Sequence, residues 1–66
     1  MQIQLNGEAH DLTGPLTLAE LLAQLGLAGK RLAVEQNLEI VPRSQYTDTP
    51  VQDGDRIEIV HAIGGG

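Results

Sequence analysis

Arg56-Ile57-Glu58-Ile59-Val60-His61-Ala62-Ile63-Gly64-Gly65-Gly66 closes the sequence. A β-branched, apolar run leads directly into three glycines. Alternation with period two puts Ile57 and Ile59 on one face and Val60 and Ala62 on the other. Glycine has no Cβ, so Gly64-Gly65-Gly66 is thin and conformationally free. Extended, these three residues reach at most roughly 10 Å past the strand. Ordering each residue costs about 1–2 kcal/mol, so the reading is a flexible tail on a rigid strand until a partner holds it. Such a tail fits a channel too narrow for side chains and presents a main-chain carboxylate, that of Gly66. A frayed end carries the same glycines, so the rest of the chain must decide.

The 66 residues make one domain, 1–66, with room for a single core. A core this small needs local signals that agree with one another. There is no cysteine, which excludes a disulfide, a thiolate metal site and a cysteine nucleophile. The formal net charge is −5, with only four Lys and Arg and no basic cluster larger than Lys30-Arg31. Nucleic-acid binding rests on cations at phosphates, so no nucleic-acid partner is expected. A basic protein surface is the more natural partner. No stretch reaches membrane-spanning length and no signal peptide is visible, so the expected compartment is cytoplasmic.

Met1-Gln2-Ile3-Gln4-Leu5 alternates as a half-buried strand with Ile3 and Leu5 inward. Asn6-Gly7 supplies the positive φ angles of a type I′ hairpin turn. The return strand, Glu8 to Leu12, is poorly patterned and reads as an edge. Thr13-Gly14-Pro15 breaks the pattern. Thr17 with Glu20 makes a capping box, and Leu16 can staple onto Leu21. Leu18, Leu21, Leu22 and Leu25 form one helix face, read as core, and Gly26 ends the helix. Leu32 to Glu35 is the next strand, and Gln36-Asn37-Leu38 turns into a short strand, Glu39 to Val41, that Pro42 stops. Residues 43–50 are polar and irregular, with one helical turn near Ser44-Gln45-Tyr46. Asp53-Gly54-Asp55 is a tight turn into the last strand.

Strand, strand, helix, strand, short strand, strand is an α+β order. The helix supplies the crossover for a last strand lying parallel to the first. The expectation is a β-grasp: a mixed four- to five-stranded sheet with one main helix on one face. The last strand then lies mid-sheet and supports the tail.

The chain resembles the ThiS family, the sulfur carriers of thiamine biosynthesis among the ubiquitin-like β-grasp proteins. The resemblance runs over the whole length. It rests on the Met1–Leu5 strand with Asn6-Gly7, on Leu18-Ala19-Glu20-Leu21-Leu22, and on Ile40-Val41-Pro42-Arg43. It is strongest in Val51-Gln52-Asp53-Gly54-Asp55-Arg56-Ile57-Glu58-Ile59-Val60-His61 running into the glycines. It implies that Gly66 is the modified residue, adenylylated by an E1-like, ThiF-type adenylyltransferase that uses ATP and magnesium. Sulfur from a cysteine desulfurase pathway then displaces AMP, and the Gly66 thiocarboxylate delivers it to a ThiG-type thiazole synthase. It further implies that Gly65 and Gly64 thread into the partner's site, Gly64 being one glycine more than the family's Gly-Gly. The carrier binds no cofactor of its own and is not an enzyme; the chemistry needs no catalytic side chain on it.

Other residues carry less. Asp53 and Asp55 are read as turn formers, since one acidic turn falls short of the ligands calcium takes. His10 and His61 lack ligand spacing, so no metal site is expected. Arg43 and Tyr46 fit either a partner contact or an ordinary loop. Val60 and Ala62, on the helix-free face, together with His61, are the expected docking surface for the adenylating enzyme and thiazole synthase. Two other functions remain open on sequence. One is a sibling carrier, the small subunit of molybdopterin synthase, or a ubiquitin-like conjugating modifier. The other is a β-grasp binding module without covalent chemistry.

Overall fold

The computed structural model describes residues 1–61. The readings made for Ala62, Ile63, Gly64, Gly65 and Gly66 lie outside the described residues.

Strand β1, Gln2–Leu5, and strand β2, Glu8–Asp11, form the first hairpin. Asn6 and Gly7 join them with φ of 51° and 84°, the two positive angles of a type I′ turn. The chain then makes a two-residue strand, β3, Leu16–Thr17, and helix α1, Leu18–Gln24. Both halves of the capping box are formed: Glu20 N–H donates to Thr17 Oγ1 at 3.2 Å, and Thr17 N–H to Glu20 Oε1 at 2.8 Å. At the other end Gly26, with φ of 75°, terminates the helix. Its N–H donates to Ala23 O at 3.1 Å and that of Leu27 to Leu22 O at 2.8 Å, which is a Schellman motif.

Strands β4, Leu32–Gln36, and β5, Glu39–Val41, form a second hairpin, and Pro42 ends it. A 3₁₀ helix, Arg43–Asp48, and a two-residue strand, β6, Pro50–Val51, lead to the final strand, β7, Arg56–His61. The main sheet has five strands in the order β2-β1-β7-β4-β5. β7 lies between β1, to which it is parallel, and β4, to which it is antiparallel. This is the expected β-grasp. The pairing of β3 with β6 is an addition that no sequence pattern indicated.

The core lies between sheet and helix. Ile3, Val34 and Ile57 come from the sheet, Leu18, Leu21 and Leu22 from the helix. Residues 43–50, read as polar and irregular, contribute more than expected. The 3₁₀ helix packs on α1 and turns Tyr46 into the core. Tyr46 is thus a packing residue, which settles the choice left open between loop and partner contact. Among the described residues no helix is long and apolar enough to cross a membrane.

Candidate functional site

The candidate site is the end of β7, where the described chain gives way to the glycine-rich end. Its support is built from both sides. On the β1 side, Asn6 N–H donates to Ile57 O at 2.9 Å, and Asn6 Oδ1 accepts from Ile59 N–H at 2.8 Å. Asn6 therefore does more than form the turn: its side chain holds β7. On the β4 side, the ladder runs from Gln36 opposite Ile57 to Leu32 opposite His61. β7 is thus held on both edges as far as Ile59, by β1 and Asn6 on one side and β4 on the other, and by β4 alone at Val60 and His61, with Ile57 and Ile59 buried beneath.

The start of β7 is held by a polar cluster. Asp55 is 7% exposed. Its Oδ1 accepts from Asn37 Nδ2 at 3.1 Å, and its Oδ2 from Gln36 Nε2 at 2.8 Å and Gln52 N–H at 2.9 Å. Asn37 Oδ1 in turn accepts from Arg56 N–H at 2.9 Å. Burial pushes the Asp55 carboxyl up, but the Gln52, Asn37 and Gln36 donors outweigh it and hold the group below its ordinary value. Asp53 Oδ1 accepts from Gln2 N–H at 2.8 Å. The two aspartates are thus committed to N–H donors, as turn formers are. Among the described residues no group of three or more His, Asp or Glu side chains is placed to hold a metal ion.

The expected docking residues separate. Val60 is 59% exposed and pairs with Ala33. By alternation from the buried Ile57 and Ile59 it stands on the helix-free face. His61 alternates to the other side. It lines a recess of about 320 Å³ with Leu5, Asn6, Leu25, Leu27 and Ile59, at the C-terminal end of α1. Val60 and His61 therefore do not share a face, and Ala62 lies outside the described residues. Sequence reasoning missed Ile40, 75% exposed, and Leu38, 70% exposed. Period two along Glu39-Ile40-Val41 was the available signal for Ile40, since Val41 is core.

Comparison with known proteins bears on this arrangement. A model described as the ThiS family matches residues 3–66. The chain is 44% identical over 68 aligned positions to "Sulfur carrier protein ThiS" of Escherichia coli, covering all of both chains. It is 47% identical over 66 residues to a "Thiazole synthase" of Paramagnetospirillum magneticum, covering all of this chain. The chain spans about a fifth of that relative's length (20%). The crystal structure of a thiamine biosynthesis protein (ThiS) from Geobacter metallireducens superposes with a TM-score of 0.88 at 35% identity, over the whole of both chains.

Proposed function

This chain belongs to the ThiS family, and from that premise we propose that it is a sulfur carrier protein of thiamine biosynthesis. Its reactive group is the carboxylate of Gly66. A carboxylate is a poor electrophile until one of its oxygens becomes part of a good leaving group. A ThiF-type adenylyltransferase, using ATP and magnesium, supplies this: the Gly66 oxygen attacks the α-phosphorus, pyrophosphate leaves and an acyl-adenylate forms. A persulfide from a cysteine desulfurase pathway attacks the acyl carbon and displaces AMP, and a thiol then cleaves the acyl disulfide so formed, taking the donor's sulfur into a new disulfide and leaving the persulfide's outer sulfur on Gly66. The resulting thiocarboxylate is the sulfur nucleophile that a ThiG-type thiazole synthase uses to build the thiazole ring. The setting is the cytoplasm.

The observation that carries the reading is the position of β7. It is central in the sheet, held on both edges as far as Ile59, and ends at His61. Five residues of sequence follow, three of them glycine. Extended, they span at most roughly 17 Å. Gly64 and Gly65 leave that span slim enough to thread into a partner's site. The names of the relatives favour thiamine over molybdopterin biosynthesis, since they are a sulfur carrier ThiS and a thiazole synthase.

The test is intact-protein mass after incubation with the adenylyltransferase, ATP, magnesium and a sulfur source. One oxygen-for-sulfur exchange, lost when Gly66 is deleted, is the expected result. An unchanged mass with an enzyme competent on its own carrier overturns the reading and favours a non-covalent binding module.

A further inference from the structure

The recess at the C-terminal end of α1 has an apolar wall, and it opens beside the last described residue of β7. Leu5, Leu25 and Leu27 line it, each packed against the core yet only partly buried, and Ile59, Asn6 and His61 complete it. Its volume is about 320 Å³. That is the low end of the range for small-molecule pockets and nearer the scale of one or two side chains. The recess lies on the helix side of the sheet, away from Val60. Along β7 the residues on that side are Ile57, Ile59 and His61. Period two continues the series to position 63. Isoleucine stands there, roughly 7 Å beyond His61 along an extended chain. Residues 62–66 read Ala-Ile-Gly-Gly-Gly, so Ile63 carries the one side chain among them larger than a methyl group.

We propose that the Ile63 side chain docks in this recess against Leu25 and Leu27, as a latch that sets the direction of the chain past β7 and leaves Gly64, Gly65 and Gly66 as the free end. The phase of β7 brings Ile63 to the correct side, and the partly buried leucines offer it apolar surface to cover. Burying one isoleucine and ordering two residues, Ala62 and Ile63, are free-energy terms of similar size and opposite sign. The latch is therefore weak, and it closes and reopens. Gly64 marks its limit, because a glycine has no side chain to bury and the most conformational freedom to lose. With the latch closed the free end is three residues, roughly 10 Å when extended, instead of five. A shorter free segment raises the effective concentration of its end at any site within its reach. On the carrier reading above, that end is the Gly66 carboxylate, presented along one direction. Only this use rests on that reading; the contact itself does not.

Solution NMR of the free, intact chain decides it, with methyl contacts and backbone relaxation recorded at two protein concentrations. The wild type should show nuclear Overhauser contacts from the Ile63 methyls to Leu25 or Leu27, and backbone order at Ile63 above that at Gly65. Ile63→Ala should move the Leu25 and Leu27 methyl signals while the protein stays folded. Leu27→Ala should lower the order at Ile63 to that of Gly65. It should also speed carboxypeptidase removal of residue 63 at least about threefold, since cleavage follows the population of the open form. Val60→Thr, on the opposite face, should change none of these readouts. Three results overturn the proposal: no contacts and an Ile63 as disordered as Gly65; contacts that vanish on dilution, which would put a second copy in the recess; or order at Ile63 that survives Leu27→Ala. Should Leu27→Ala fail to fold, Ile63→Ala decides alone, and unmoved Leu25 and Leu27 signals then overturn the latch. The carrier reading fails separately: a wild type that shows the contacts but acquires no sulfur sinks that reading and leaves the latch standing.

Discussion

Asn37 Nδ2 donates to Asp55 Oδ1 at 3.1 Å, and this bond ties the β4–β5 turn to the turn that launches β7. Gln36 Nε2 and Gln52 N–H complete the donors around the same carboxylate. Asp55 is the buried member of this cluster, while Asn37 and Gln52 are exposed and can turn to water, so the loss on removing it is that of the charge-assisted bonds it accepts. Asp55→Ala should therefore lose about 2–3 kcal/mol of stability at neutral pH, measured by urea unfolding. An Asp55→Ala protein as stable as the wild type would mean the cluster is incidental.

The same carboxylate predicts an acid-side dependence. Its folded pKa is held below the ordinary 3.8, with the opposing push of burial outweighed by the three donors. A depressed folded pKa contributes stability that is present above the unfolded value and lost as pH falls through the folded one. The wild type should lose this contribution as pH drops from 3.8 downward, and Asp55→Asn should lack that component of the decline. Parallel stability curves for the two proteins across this range would refute the assignment.

Leu38 holds a φ of 72° beside Asn37 at 54°, in a turn whose second position favours glycine. A left-handed backbone costs a leucine roughly 1–2 kcal/mol, against about 0.5–1 kcal/mol of added entropy loss for glycine. The Leu38 side chain is 70% exposed, so little packing is lost with it. Leu38→Gly should be neutral or stabilising by up to about 1 kcal/mol. A clear drop in melting temperature would show that the side chain packs in solution.

Tyr46 is 9% exposed and belongs to the core cluster. Tyr46→Ala should cost about 3 kcal/mol, as large aromatic truncations do. In a domain of this size that approaches the total stability. Loss of cooperative thermal unfolding is the expected readout; a normal melt with weakened partner binding would return Tyr46 to the surface.

Thr17 and Glu20 satisfy each other's backbone N–H groups at the start of α1. Thr17→Ala should cost about 1 kcal/mol, and Thr17→Ser should restore most of it. The comparison by chemical denaturation separates the cap from general effects at that position.

Asn6 marks where sequence reading was right and incomplete. Asn6-Gly7 is legible as a turn because its conformation depends on adjacent residues alone. The bond from Ile59 N–H to Asn6 Oδ1 joins residues 53 apart in sequence, and no local pattern reports it. The candidate site divides the same way. Val60 was readable as an outward apolar residue by alternation along β7. His61 was grouped with it, although the same alternation sends its side chain to the recess beside Leu25 and Leu27.

What the sequence alone determined is what short-range geometry controls: the period-two strands, the capped α1, the two tight turns, and their order, which requires a parallel last strand. The glycines at 64–66 belong here too, because the absence of a side chain is a property of the residue itself. Only the tertiary structure decided which groups meet: Asp55 with Gln36 and Asn37, Asn6 with Ile59, Tyr46 with the core, and Glu35 with Glu58. Tyr46 is placed by the packing of its 3₁₀ helix on α1, and the other pairings follow from strand register. Register is set by how the whole apolar face of the sheet fills against the helix, and a slip of one residue would exchange every partner.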